Sequence, residues 1–226
     1  MTIEAPTAAQ VLLAIKSNNI ENVLMMILRS LPPSPLGRKV RLAASVLGLS
    51  GDIKVEPADT NDANDSIRQQ NPLGKIPTLV LEDGTTLFDS RVIVEYLDHR
   101  AVGERLQPER CETRGRLLRD DLAAAGATDA QILVLYEGRF RPPEHHVKKW
   151  TDYQADKIKR GLTALEADPP SLDPLPNVGQ IALACFLGHR DLRFAGDWRA
   201  AHPKLVTWLD RFAAKVPAFA ETKVAA

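Results

Sequence analysis

The residues best suited to bind a small ligand lie in the stretch 71–90, where an Ile-Pro step, a short apolar run, an acidic glycine turn and a polar helix start follow one another. The two apolar runs that flank the turn at 82–84 predict a β-hairpin. Pro77 cannot donate to a strand ladder, so it belongs at the start of the first strand. Asp89 or Ser90 then caps the next helix. Such a helix start binds carboxylates well, because free backbone N–H groups and the helix dipole point the same way.

A second polar helix start follows the first convincing strand, which is predicted at 25–28. Ser34 occupies the N-cap position and Pro35 the first helical position, which is the preferred order at a helix N-terminus. Gly48 is expected to end this helix. A second strand is predicted at 53–55. These elements place the two polar helix starts in one strand-bearing domain.

The order of the elements predicts the fold class, α/β followed by all-α. Residues 25–100 read as β-α-β-α-β-β-α, which is the order of thioredoxin-like folds, and 101–108 as a linker. Residues 109–226 carry helical patterns with almost no strand signal. Residues 1–24 are predicted to be an N-terminal extension that packs little against the rest. Helices of the second domain are predicted at 109–138, 144–167 and 178–188 and from Pro203 onward, and Asn177 with Gln180 is predicted to form a capping box.

Composition excludes several classes of function. Lys plus Arg and Asp plus Glu both number 29, so no global basic field argues for nucleic acid or an anionic membrane. No apolar run is long enough to span a bilayer. The two cysteines, Cys111 and Cys185, follow no metal or redox spacing, and His145 and His146 lack ligand spacing, so no metal site is expected. The spacing of the two cysteines indicates a reducing compartment, and the chain has no basic signal-peptide start. Both observations favour a cytoplasmic location.

Taken together, these residues resemble the glutathione-binding half of a cytosolic glutathione S-transferase, and the resemblance covers nearly everything except the start of the chain. The resemblance implies that Pro77 is cis and that the backbone of Ile76 faces the cysteinyl part of glutathione. It also implies that Asp89 and Ser90 hold the γ-glutamyl carboxylate. The chain departs from the family pattern at Gln180, where members usually have Asp, and in its N-terminal extension.

Members of this family hold the glutathione sulfur as a thiolate with a Tyr, Ser or Cys near the end of the first strand. The three tyrosines and both cysteines lie beyond that junction, so only serines remain. Ser34 is the preferred candidate, because it occupies the position of the Cys-x-x-Cys motif in thioredoxin-like folds. Ser30 is the alternative. A third interpretation is that Ser34 serves only as the N-cap of its helix. Lys75 either reaches the glycyl carboxylate or is a solvated loop lysine. Arg38 and Lys39 follow Ser34, and one or both are expected to be exposed.

The resemblance implies a glutathione transferase of the bacterial serine-using type. Such an enzyme uses glutathione as co-substrate, attacks small electrophiles with its thiolate and serves detoxification. The electrophile would enter between the glutathione site and the helices that follow 109, and a homodimer is expected. One alternative is a non-catalytic transferase-like module that binds a protein partner. A second alternative is an enzyme that also uses glutathione but catalyses isomerisation, dehalogenation or peroxide reduction.

Overall fold

The computed structural model describes residues 25–102, 106–107, 111–173 and 176–224. The predicted extension at 1–24 and part of the predicted linker lie outside these residues. The described part has a small mixed sheet with helices, followed by helices alone. The predicted combination of a thioredoxin-like domain and an all-helical domain is therefore confirmed.

The first domain contains strands and helices in the predicted order. They are β1 (Met26–Arg29), α1 (Pro35–Val46), β2 (Ile53–Glu56), α2 (Ile67–Gln70), β3 (Thr78–Val80), β4 (Thr86–Leu87) and α3 (Ser90–Arg100).

The second domain contains longer helices. They are α4 (Cys111–Phe140), α5 (Lys148–Ala167), α6 (Val178–Arg193), α7 (Pro203–Lys215) and the short α8 (Ala218–Glu221). Among the described residues, turns of 3₁₀ helix lie at Ser50–Asp52, Pro143–His145 and Arg199–Ala201.

The sheet has the order β2-β1-β3-β4. β1 is parallel to β2 and antiparallel to β3, and β3 is antiparallel to β4. Met26 and Leu28 of β1 are fully buried while Ile27 between them is half-buried, as expected for side chains that alternate between the faces of a strand. α1 and α3 pack against each other and contribute to the same core.

Helix α6 joins the two domains, because it packs against α1 of the first and against α4 of the second. Its residues 178–187 are all buried, as expected for a helix that is apolar on most of its faces. The predicted capping box is confirmed. The Asn177 side chain accepts a hydrogen bond from the Gln180 N–H at 3.0 Å, and the Gln180 side chain accepts one from the Asn177 N–H at 2.9 Å.

Two predicted helix boundaries are wrong for identifiable reasons. Helix α6 continues past Gly188 to Arg193. A Cβ atom on Gly188 would lie 2.6 Å from Nη1 of Arg38, so this glycine permits a close approach rather than a helix end. Helix α5 begins at Lys148 rather than at 144, because the 3₁₀ turn Pro143–His145 precedes it.

Candidate functional site

Strand topology brings the separately predicted segments to one edge of the sheet. β1 and β4 both run antiparallel to β3, so the residues after β1, before β3 and after β4 lie at the same edge. In the ladder between β3 and β4, Leu79 lies opposite Leu87. Continuing this register by two residues places Pro77 across from Asp89. The N-termini of α1 and α3 therefore begin near the same edge.

Ser34 lies at the N-terminus of α1 and is half-buried. Its backbone is extended, with φ −67° and ψ 118°, and its Oγ accepts a hydrogen bond from the Gly37 N–H at 3.0 Å. The predicted N-cap is thus confirmed, with Pro35 in the first turn. A serine hydroxyl that accepts one hydrogen bond still has its own proton to donate. Capping the helix and donating to a ligand are therefore compatible.

Ser30, the alternative, lies beneath the first turn of α1. Its side chain is 1% exposed, and a Cβ atom on Gly37 would lie 1.9 Å from its Oγ. Gly37 thus permits the close approach of α1 to the end of β1. Ser34, in contrast to the buried Ser30, lines two clefts of the described structure.

The Ile76–Pro77 peptide bond is cis, as the resemblance implied. Pro77 is buried and Ile76 is half-buried, directly before β3. Ile76 and Ser34 line the same cleft.

Asn71 organises the loop before Pro77, a role that the sequence reasoning missed. Its side chain is almost fully buried and donates to the carbonyl of Lys75 at 2.9 Å and to Oγ1 of Thr78 at 3.2 Å. Its Oδ1 accepts from the N–H of Leu73 at 2.9 Å, and Gly74 has a φ of 59°. The Asn-Pro-Leu-Gly sequence could have indicated this role, because an asparagine side chain commonly accepts a hydrogen bond from the backbone N–H two residues later.

The acidic helix start is formed by Asp89, whose side chain accepts a hydrogen bond from the Arg91 N–H at 2.8 Å. Ser90 is 2% exposed and is the first residue of α3. The peptide bond between Phe88 and Asp89 is cis. Partial burial raises the pKa of the Asp89 carboxyl, but hydrogen bonds from the side chain and N–H of Arg91 outweigh it and lower the pKa overall. Asp89 is therefore a carboxylate that already has a partner.

Lys75 is exposed on the loop before β3. It lies near Asp129 of α4, a carboxylate that the sequence gave no reason to select. Loss of solvation raises the pKa of Asp129, and the charge of Asp89 raises it further, whereas Lys75 and Arg91 oppose the rise. The second domain thus contributes an acidic group beside the predicted glutathione residues.

A cleft of about 440 Å³ extends from Ser34 and Ile76 to the helical domain, and Lys75, Asp89 and Ser90 are not among its lining residues. The side of the first domain includes Ser34 and Ile76 together with Thr60. The side of the helical domain consists of residues from α4 and α6, namely Ile132, Leu135, Tyr136, Arg139, His189 and Arg193. The space therefore lies between the two domains, where the resemblance placed the electrophile.

Buried Arg29 anchors the loop that carries Thr60. Its guanidinium donates to the side chains of Asp65 at 3.0 Å and Ser66 at 2.6 Å and to the carbonyl of Pro57 at 3.0 Å. These bonds tie the loop to the end of β1 and so to the segment that carries Ser34.

His189 lies between this cleft and a smaller one of about 240 Å³, and it lines both. It is 5% exposed, and its Nδ1 is buried without a hydrogen-bond partner in the described part of the chain. Burial lowers its pKa to about 4, with further contributions from the charges of Arg193 and Arg190. The imidazole is therefore neutral at pH 7.

The expectation that Arg38 or Lys39 is exposed is wrong, because both are buried. The Arg38 guanidinium donates to the carbonyl of Phe219 at 2.5 Å and lies 4.2 Å from the centre of its ring. The Lys39 ammonium donates to the carboxylate of Asp121 on α4. The sequence of α1 alone could not show that the second domain covers this side of the helix.

Cys185 lies on α6 beside Arg38 and lines the smaller cleft. Cys185 is 3% exposed. Burial raises its pKa to about 11, although the charges of Arg38, Lys39 and Arg41 act in the opposite direction. At neutral pH this group is a thiol and not a thiolate.

Within the described residues, no group of His, Cys, Asp or Glu side chains is arranged to hold a metal ion. Among the helices in the same ranges, none is long and apolar enough to cross a bilayer.

Two family models match the chain. Residues 33–100 match the glutathione S-transferase N-terminal domain, and residues 120–211 match the glutathione S-transferase C-terminal domain. Together they cover most of the described structure.

Individual relatives agree with these matches. The uncharacterized GST-like protein YibF of Escherichia coli (strain K12) is 31% identical over 72% of this chain and 81% of its own length. A glutathione transferase family member from Pseudomonas fluorescens Pf-5, solved with bound glutathione, superposes with a TM-score of 0.84 at 37% identity, covering 89% of this chain and 100% of the other. A family member from the same strain with bound S-(propanoic acid)-glutathione gives a TM-score of 0.79 at 36% identity, covering 88% and 100%.

Proposed function

Because this chain belongs to the glutathione S-transferase family, we propose that it binds glutathione and activates the thiol as a thiolate for attack on small electrophiles. The observation that carries the proposal is that Ser34 and Ile76, from two separate segments, line one cleft whose other side belongs to the helical domain. Peptide recognition, thiol activation and electrophile entry then occupy adjoining regions.

Glutathione would bind at the edge of the sheet where β1 and β4 end and β3 begins. The backbone of Ile76, which lines the cleft, would pair with the cysteinyl peptide group. Asp89 and Ser90 would hold the γ-glutamyl end, where the N-terminus of α3 favours a carboxylate. Lys75 would reach the glycyl carboxylate. The relative from Pseudomonas fluorescens with bound glutathione supports glutathione as the ligand.

Ser34 would donate its hydroxyl proton to the glutathione sulfur. A hydrogen bond to a thiolate is stronger than one to a thiol, so the interaction lowers the pKa of the bound thiol from its free value of about 8.5. The N-terminus of α1 adds to this effect, since its dipole favours negative charge nearby. This assignment is the serine-using mechanism that the resemblance implies.

The electrophile would occupy the part of the cleft lined by α4 and α6. The relative with bound S-(propanoic acid)-glutathione supports a site in which the sulfur of glutathione bears a substituent. The proposal includes a cytoplasmic homodimer that acts in detoxification, which follows from the resemblance.

Calorimetry with glutathione and a conjugation assay with 1-chloro-2,4-dinitrobenzene test the proposal. We expect saturable binding and a rate of thioether formation above the uncatalysed rate. Binding without conjugation would point to isomerisation, dehalogenation or peroxide reduction, each of which has its own assay. Failure to bind glutathione would contradict the proposal and favour the non-catalytic partner-binding module.

A further inference from the structure

Two cationic side chains line the helical side of the cleft. Arg139 comes from α4 and Arg193 from α6, and the same part of the cleft is otherwise apolar apart from His189 and the Tyr136 hydroxyl. No Asp or Glu is among the described residues that line this cleft. An anion entering here would meet two positive charges and no competing carboxylate.

Neither guanidinium forms an ion pair within the described ranges. Arg139 lies over the rings of Tyr136 and Phe140, at 5.6 Å and 5.3 Å from their centres. These contacts leave the edge of the guanidinium, which carries its N–H donors, able to bind an oxyanion. Arg193 has no recorded contact with a carboxylate in the described structure.

The arginines nearest in sequence to these two are paired. Arg141, directly after α4, donates to the buried carboxylate of Glu137, and Arg190 of α6 donates to Asp197. The arginines nearest in sequence to Arg139 and Arg193 are thus neutralised, whereas the two that line the cleft are not.

The positive charge of Arg193 acts on His189 in the cleft and contributes to the low pKa of that imidazole. His189 therefore adds no positive charge at pH 7. Its Nδ1 is buried and lacks a partner in the described part of the chain.

We propose that the electrophile is a small organic acid, with an apolar or aromatic body and a carboxylate that binds Arg139 and Arg193. The inference rests on the proposed function. The apolar body would lie against Leu36, Ile132 and Leu135, and the electrophilic carbon would face the sulfur beside Ser34. Arginine suits this role because its planar fork of donors matches a carboxylate.

The carboxylate takes no part in the bond changes. With an aryl chloride, the glutathione thiolate forms a C–S bond with the carbon that bears chlorine. The C–Cl bond then breaks, and chloride leaves with the bonding electron pair. The proton of the glutathione thiol has already gone to solvent, so neither oxidant nor reductant is required.

A matched pair of substrates tests the inference: 4-chloro-3,5-dinitrobenzoate and its neutral primary amide, each normalised by its uncatalysed rate with glutathione. We expect the wild-type protein to prefer the acid in kcat/KM. Arg139→Gln and Arg193→Gln should each lower the acid-to-amide ratio about tenfold, as expected for loss of a hydrogen bond to a charged group. Arg211→Gln, which removes an exposed arginine on α7, is the control and should leave the ratio unchanged.

A second measurement needs no variant. The preference for the acid in the wild-type protein should weaken as salt rises, because ions screen exposed charges. A wild-type preference for the amide, or a ratio that neither arginine substitution changes, would overturn the inference while leaving conjugation intact. Absence of turnover with both compounds and with 1-chloro-2,4-dinitrobenzene would instead contradict the proposed function.

Discussion

At the scale of single residues, burial decides the protonation of the groups around the cleft. His189 is held neutral by loss of solvation and by neighbouring arginines, and Cys185 is held as a thiol by burial. Neither group supplies charge to the site at neutral pH. Ser34, a half-buried hydroxyl at a helix N-terminus, is the donor that we propose for the glutathione sulfur.

His189 should make the protein less stable in acid. Its pKa is 6.5 when exposed and about 4 in the folded protein, so the unfolded chain binds a proton more readily between these values. The free energy of unfolding should therefore fall by about 3 kcal/mol from this group as pH drops from about 6.5 to about 4. Denaturant unfolding of wild type and His189→Asn across this range measures it. The free energy of unfolding of the variant should depend less on pH than that of wild type. The same dependence in both proteins would contradict a lowered pKa of His189.

Cys185 should resist thiol reagents in the folded protein. Its thiol is buried and its pKa is raised to about 11, so little thiolate exists at pH 8. In Cys111→Ser, Cys185 is the one remaining cysteine of the two in the chain. We expect 5,5′-dithiobis(2-nitrobenzoate) to label this variant in denaturant and not under native conditions. Rapid stoichiometric labelling of the native variant would show that the thiol is accessible.

At the scale of elements, the site depends on the close approach of α1 to the end of β1. Gly37 permits that approach, because any Cβ there would collide with the hydroxyl of Ser30. Local signals in the sequence predicted the N-caps of α1, α3 and α6, since capping depends on residues within one turn. The end of α6 was mispredicted because Gly188 faces Arg38, a contact that depends on tertiary structure.

Gly37→Ala should destabilise the protein by about 1–3 kcal/mol, the usual cost of adding a methyl group to a tightly packed site. Ser30→Ala removes the oxygen that the new methyl group would strike at 1.9 Å. The double variant should therefore recover part of the loss, which a double-mutant cycle of unfolding free energies measures. Strictly additive effects would mean that the two positions do not contact each other.

At the scale of the whole molecule, a buried ion pair links the two domains. Lys39 of α1 and Asp121 of α4 have side chains that are each 2% exposed. The sequence could not show this pair, because it forms only where the second domain covers α1. The same reason explains why Arg139, His189 and Arg193 were missed as residues of the cleft: they come from helices whose apolar spacing predicts a core and not a ligand.

Breaking the interdomain pair on one side should be costly. Lys39→Met leaves the Asp121 carboxylate buried without its partner and should lower the free energy of unfolding by about 3–5 kcal/mol. The double variant Lys39→Met with Asp121→Leu should recover most of that loss, because it leaves no uncompensated charge. Chemical unfolding of the three proteins provides the comparison. If the single variant matched wild type, the pair would not be buried in solution.

The central claim is that Ser34 stabilises the thiolate of bound glutathione, and titration of that thiolate by ultraviolet absorbance tests it most directly. Wild type and Ser34→Ala are compared at saturating glutathione, with affinity checked by calorimetry and with Ser30→Ala as the control. We predict that Ser34→Ala raises the pH at which the bound thiolate appears and lowers turnover, while Asp89 and Ser90 keep affinity roughly intact and Ser30→Ala leaves the titration in place. An unchanged titration and full activity in Ser34→Ala would show that Ser34 is a helix cap alone.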